Sequence, residues 1–207
     1  MNDGGQVSRF TFHNGVEMKA HYLGHVVFYV KDLERSMAFY RGLLGFQEVG
    51  RIFDGAAAAL TSGRTHHELL LIQVGEAPGP PQGRRRGLYH IGIKVGDSLD
   101  ELRSAKRELE EAGVPIDGMS DHTVSQSLYL RDPDGNEVEL YVDADKSVWK
   151  NNPAAVLAPI KPLYLQSKRR AIHGEATYCS QAAGSDFVRP GNLPLVSMWT
   201  LEGPAIL

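Results

Sequence analysis

Two short stretches of the chain, "LGHVVFYV" (residues 23–30) and "LYHIGIKV" (residues 88–95), are near copies, and each carries a histidine third from its start, His25 and His90. In an extended strand successive side chains alternate between faces. Val26, Phe28 and Val30 therefore form one apolar face, and His25, Val27 and Tyr29 fall on the other. Likewise Ile91, Ile93 and Val95 oppose His90, Gly92 and Lys94. A third stretch, "NEVELYV" (residues 136–142), sets Glu137 and Glu139 against an apolar face of Val138, Leu140 and Val142. Glu139 is deeper in its strand and is the expected ligand, with Glu137 at the rim. Two neutral imidazoles and one carboxylate form a facial triad that suits non-haem Fe(II) and leaves coordination positions open for a substrate and dioxygen.

The elements that must position these groups repeat. After the first His strand, Asp32 is an N-cap for a helix over residues 33–44, where Met37, Tyr40 and Leu44 share a face, and Gly45 ends it. Phe28 and Tyr40 read as helix-side core. Three strands are expected next, over residues 46–53, 56–60 and 67–74, with turns at Asp54-Gly55 and Ser62-Gly63. After the second His strand, Ser98 and Glu101 form a capping box for a helix over residues 99–113. Strands follow over residues 114–119, 125–132 and 137–142, the last two joined by the turn "DPDGN".

The fold class is therefore α+β, with two tandem βαβββ modules. The expected organisation is an N-terminal arm (1–20), module one (21–76), a linker (77–87), module two (88–143) and a C-terminal extension of unassigned role (144–207). If the modules sit side by side with pseudo-twofold symmetry, their non-helix faces bring His25 and His90 together. Aligning the ends of the two last strands makes Leu71 the counterpart of Glu139, which implies three protein ligands; a slip of that alignment brings in Glu68. His66 and His67 open the fourth strand of module one, as turn residues, as neighbours of the site or as ligands.

Composition narrows the classes. The chain has 207 residues, 42% hydrophobic and 23% charged, with a net charge of −3, which points to a globular protein with no bias toward nucleic acid or an anionic membrane. The basic run at residues 84–86 follows a Pro/Gly-rich loop and reads as a solvated turn. No apolar stretch reaches the roughly 18 residues of a membrane span. The single cysteine, Cys179, excludes an intrachain disulfide. The first residues lack the layout of a secretion signal, so the expected location is cytoplasmic.

Taken together, "LGHVVFYVKDLERSMAFYRGLLGF", "YHIGIKV" and "DHTVSQSLYLRDPDGNEVELYV" resemble the vicinal oxygen chelate superfamily. Its members include glyoxalase I, fosfomycin-resistance proteins, bleomycin-binding proteins and extradiol catechol dioxygenases. The resemblance covers residues 22–142 and is closest to the catechol 2,3-dioxygenase-like group; the fold it implies is α+β, two tandem βαβββ modules forming curled mixed sheets around a shared metal cleft. It implies a metal held by His25, His90 and Glu139, with His122 and Tyr129 as catalytic residues and His67 as the nearest match to a further acid–base histidine. It also implies Fe(II), with Mn, Zn or Ni as alternatives, and a small aromatic diol and dioxygen as reactants. A homo-oligomer is a further expectation, since relatives often pair modules between chains. The alternatives are a glyoxalase-like non-redox isomerase, epimerase or thiol transferase, and a metal-free binder of a planar aromatic compound.

Overall fold

The computed structural model describes residues 20–80, 83–84 and 86–166. The chain divides into two units, residues 1–168 and 169–207, and every element below lies in the first. The N-terminal arm before residue 20 and most of the C-terminal extension lie outside the described residues.

Two βαβββ modules follow one another. Module one contains β1 (Val26–Val30), α1 (Leu33–Met37), β2 (Gln47–Ile52), β3 (Ala57–Thr61) and β4 (Leu69–Gln73). Module two contains β5 (His90–Gly96), α2 (Leu99–Glu111), β6 (Ile116–Asp121), β7 (Ser125–Arg131) and β8 (Glu137–Asp143). A short helix α3 (Lys146–Trp149), a 3₁₀ turn and the two-residue strand β9 (Lys161–Pro162) complete the described chain. The first sheet has the order β1-β4-β3-β2 and the second β5-β8-β7-β6-β9. In each, the first strand runs parallel to the last strand of its module, and the other pairs are antiparallel; His90 begins β5, whereas His25 lies one residue before β1. β1 and β5 are both edge strands. Among the described residues no helix is long and apolar enough to cross a membrane.

The first helix departs from the sequence expectation. It is α-helical only to Met37 and then widens into a π-helical turn over Ala38–Leu43. The Leu44 N–H reaches back five residues to the Phe39 carbonyl at 3.0 Å. Such a turn breaks the 3.6-residue period, so the neighbours Phe39 and Tyr40 are both buried while Leu44 is only partly so. Their rings meet edge to face at 5.0 Å, and Tyr40 stacks on Phe28 at 6.0 Å. The caps are as expected. The Asp32 carboxylate accepts from the Arg35 N–H at 2.8 Å, and Gly45, with φ of 77°, ends the turn. The Ser98 hydroxyl accepts from Glu101 N–H, while Glu101 returns its carboxylate to the Ser98 hydroxyl and the Asp97 N–H.

Both sheets turn their helix-side faces into one core. Phe28, Val30, Leu69 and Leu71 contribute from the first sheet and Leu128, Leu130, Val138, Leu140 and Val142 from the second. Leu33, Met37 and Phe39 of the first helix and Leu102 and Leu109 of α2 join them. Each such fully buried side chain stabilises the fold by roughly 1.5–3 kcal/mol. A buried polar contact ties the modules: the Tyr40 hydroxyl donates to Asp132 Oδ2 at 2.8 Å. Asp132 is 4% exposed and also accepts from the N–H groups of Asp134 and Asn136 and from the Asn136 amide. Burial first, and the Asp132 charge second, push the Tyr40 phenol far above its usual range, so it stays a donor.

Tyr40→Phe keeps the ring and deletes this donor. The unfolding free energy in urea is expected to fall by about 2 kcal/mol, the scale of a hydrogen bond to a charged group; an unchanged midpoint would remove the contact from the account of stability.

Candidate functional site

The faces turned away from the core carry the polar groups, as the alternation predicts. On β5 and β8 the parallel register sets His90 beside Glu137 and Gly92 beside Glu139. His90 Nε2 stands 3.2 Å from Glu139 Oε2. That is the separation of two neighbouring ligands on one cation with bonds of roughly 2.0–2.2 Å. The other oxygen of Glu139 is held: Ser127 Oγ donates to Oε1 at 2.6 Å and the Tyr129 hydroxyl at 3.2 Å. Oε2 is thereby turned toward His90. Gly92 makes room for this, since a Cβ there would lie 3.3 Å from the Tyr141 ring and 3.5 Å from Glu139 Oε2.

His122 and Tyr129 join the same group. His122 Nε2 lies 2.7 Å from the Tyr129 oxygen and 3.9 Å from Glu139 Oε1. With its proton on Nε2, His122 donates to Tyr129, which donates to Glu139. Burial, then the Glu139 charge, raises the Tyr129 phenol well above its ordinary pKa and keeps it protonated. His122 sits at the tight turn between β6 and β7, where its N–H bonds the Ser125 carbonyl at 2.9 Å. The next residue, Thr123, has φ of 71°, unfavourable for a β-branched side chain, and its N–H donates to Asp121 Oδ1 at 2.7 Å. Strain of this kind gathers at functional sites.

His25 lies elsewhere. Its ring is 4.7 Å from that of His67, which is 4.5 Å from His66. The two neighbouring imidazoles meet Nδ1 to Nδ1 at 2.6 Å, so one of them carries a proton between them. Desolvation first, then the nearby His66 and His25, holds His67 below the usual histidine pKa. The chain entering β1 is tethered by Arg64, whose guanidinium donates to the carbonyls of Leu23 and Gly24. Among the described residues no group of three or more His, Cys, Asp and Glu is close enough to hold a metal ion. The structure thus brings His90, Glu139, His122 and Tyr129 together in module two, and leaves His25 with His67 in module one.

Three details differ from the sequence reading. Glu137 is not at a rim: its side chain is 7% exposed against 15% for Glu139, because Arg131, its register neighbour on β7, closes over it. The counterpart of Glu139 in module one is Leu70, since Val27 pairs with Leu70 as Gly92 pairs with Glu139. Leu71 is on the core face, and aligning strand ends rather than registers produced the slip of one. Glu68 is occupied, bonded to Thr61 and Ser62 and paired with Arg64. Ser127 went unnoticed, although alternation along β7 puts it on the face of Tyr129.

The comparisons with known proteins agree with this architecture. Residues 22–140, more than half of the chain, match the model of the Glyoxalase/Bleomycin resistance protein/Dioxygenase superfamily. The chain is 37% identical over 131 residues to a catechol-2,3-dioxygenase of Bacillus subtilis, covering 63% of this chain and 45% of that protein. It is 32% identical over 123 residues to biphenyl-2,3-diol 1,2-dioxygenase 2 of Rhodococcus globerulus, covering 58% and 61%. The match thus spans about half to three fifths of these relatives' lengths. A glyoxalase/dioxygenase structure from Nostoc punctiforme superposes with a TM-score of 0.54 at 19% identity, over 64% of this chain and all of that one, a likeness of fold. With the matched region running from the first His strand to Glu139's own strand, the chain belongs to the Glyoxalase/Bleomycin resistance protein/Dioxygenase superfamily.

Proposed function

We propose that the chain is an Fe(II)-dependent extradiol dioxygenase that opens the ring of a catechol-type aromatic diol, with His25, His90 and Glu139 as metal ligands. The observation that carries this reading is the His90–Glu139 pair at 3.2 Å, its second carboxylate oxygen already satisfied by Ser127 and Tyr129. The two curated relatives described above, both named as dioxygenases of vicinal diols, support it. A nitrogen and oxygen donor set with one carboxylate suits Fe(II), and such an ion, when bound, gathers diol and dioxygen on neighbouring positions and lets electron density pass between them.

The residues of this chain supply the rest. His122 gives or takes a proton at Nε2, which lies 2.7 Å from the Tyr129 oxygen. Tyr129 remains a phenol; its one proton goes to Glu139 in the free protein and turns to an oxygen of the diol when the diol binds, leaving Ser127 on Glu139 Oε1. The setting implied is cytoplasmic breakdown of aromatic compounds.

The third ligand comes, in this reading, from a second copy of the chain. His25 and His90 each stand at or just before an edge strand whose outer side is, among the described residues, unpaired. Exposed apolar groups accompany both: Val27 and Tyr29 on β1, and Leu88 and Tyr89 before β5. Because the modules are repeats, laying β1 of one copy beside β5 of another makes the reverse contact equivalent, which closes a twofold dimer with two sites.

A non-redox metal enzyme on the same fold is the second reading. The His67 ring, 4.7 Å from His25, favours it by setting a fourth nitrogen beside the triad. Turnover with Ni(II) or Mn(II) and without dioxygen would select it.

Protein loaded with Fe(II) anaerobically and given dioxygen is expected to convert members of a panel of one-ring and two-ring catechols into yellow ring-fission products. No product from any of them would reject the dioxygenase reading. His90→Ala is expected to reduce bound iron to background after desalting; full iron content would remove the triad. Neither His25→Ala nor His90→Ala alone should turn over. Mixed and reassociated, the two inactive variants are expected to recover about a quarter of wild-type activity, because half of the dimers are mixed and each carries one intact site. A mixture that stays inactive despite proven exchange would place the site within one chain.

A further inference from the structure

Among the described residues four buried side-chain atoms, all in module two, have no hydrogen-bond partner, and two of them, His90 Nδ1 and Glu137 Oε1, face each other at 3.5 Å. Buried groups of this kind call for an explanation. The rest of the surroundings is settled. Glu137 Oε2 accepts from Arg131 Nη2 at 2.9 Å, and Tyr89 directs its phenol at the same carboxylate while its ring lies 4.8 Å from the His90 ring. On the far side of the imidazole, Nε2 looks at Glu139. The His90 ring is thus set between two carboxylates, one on each nitrogen, because β8 places glutamates two residues apart beside His90 and Gly92 of β5.

We propose that Glu137 is a positioning residue that holds the proton of neutral His90 on Nδ1, leaving the Nε2 lone pair free for the metal. The inference rests on the reading of His90 as a ligand given above. The physical argument is one of proton placement. A carboxylate only accepts hydrogen bonds. Opposite Glu137 Oε1, Nδ1 is favourable only as N–H, and Nε2, 3.2 Å from Glu139 Oε2, is subject to the same rule while no cation lies between them. With a cation shared by Nε2 and Glu139, Nε2 must offer its lone pair, and Glu137 then takes the proton at Nδ1. Carboxylates behind ligating histidines fix tautomer and ring orientation in this way, and their loss weakens metal binding by about 10–100-fold. Arg131 sets the sense of the arrangement: it occupies Oε2 and turns the other oxygen toward His90.

The isosteric variant gives an outcome that a merely structural role would not. In Glu137→Gln the amide oxygen stays with Arg131, a donor, so the amide NH₂ faces His90. Nδ1 must then accept and the proton moves to Nε2, blocking the lone pair that Glu137 had freed. The test reads the tautomer of neutral His90 by nitrogen-15 NMR in metal-free Glu139→Ala protein, where no carboxylate competes at Nε2, with and without Glu137→Gln; Fe(II) binding to wild type and to Glu137→Gln is read by anaerobic equilibrium dialysis. Glu139→Ala is expected with Nδ1–H, the double variant with Nε2–H, and Fe(II) affinity lower in Glu137→Gln than in wild type by about tenfold or more. Nε2–H in Glu139→Ala, the same tautomer with and without Glu137→Gln, or the same Fe(II) affinity in wild type and Glu137→Gln overturns the assignment. The tautomer is read without metal, so it decides the role of Glu137 even if wild type retains no iron, a result that would reject the dioxygenase reading separately.

Discussion

The buried hydrogen bond from Tyr40 to Asp132 is the constraint around which this molecule is arranged. It joins the helical turn of module one to the last hairpin of module two, and it lies within the core that both sheets share. Once those helix-side faces are committed to each other, the opposite faces are left for solvent and for partners. The π-helical turn belongs to the same constraint. It lets Phe39 and Tyr40 enter the core together, which a regular α-helix at this place would not allow. The chemistry-bearing side chains are therefore mounted on strands whose backs are anchored in a rigid interior.

Module two shows what that mounting accomplishes. Its polar face is a set of side chains with one free atom each. Glu139 has one oxygen tied by Ser127 and Tyr129 and one left over. His122 is held by a strained turn and offers its ring to Tyr129. Gly92 supplies only space. Burial first, and the neighbouring Glu139 second, keep Tyr129 a donor. Module one presents imidazoles alone, with a carboxylate nearby already consumed by Ser62, Thr61 and Arg64. The repeat has diverged on its polar face while keeping the face that meets the core.

The sequence carried the repeat, both helix caps and the inward faces of β1 and β8, because these follow from local alternation and capping chemistry. It carried the grouping of Glu139 with His122 and Tyr129 through motif likeness. The single-residue error at Leu71 arose because strand ends are not registers, and only hydrogen-bonded pairing shows that Leu70 stands where Glu139 does. The burial of Glu137 escaped notice since it depends on Arg131 from the neighbouring strand. How the two modules face each other was also beyond reach: two look-alike amphipathic sheets can meet through their helices or through their edges, and the pattern of either strand is the same in both cases.

The two-residue strand β9 has an effect larger than its size. It clips the outer side of β6 with Lys161 and Pro162, and proline offers no amide proton to a newcomer. At the far border of the other sheet, β2 is irregular between Glu48 and Gly50 and fenced by ion pairs of Arg51 with Glu34 and Glu48. Both remote borders are thus poor templates for strand addition, in contrast to β1 and β5. Blunting one border of each sheet leaves a single side open to a newly added strand.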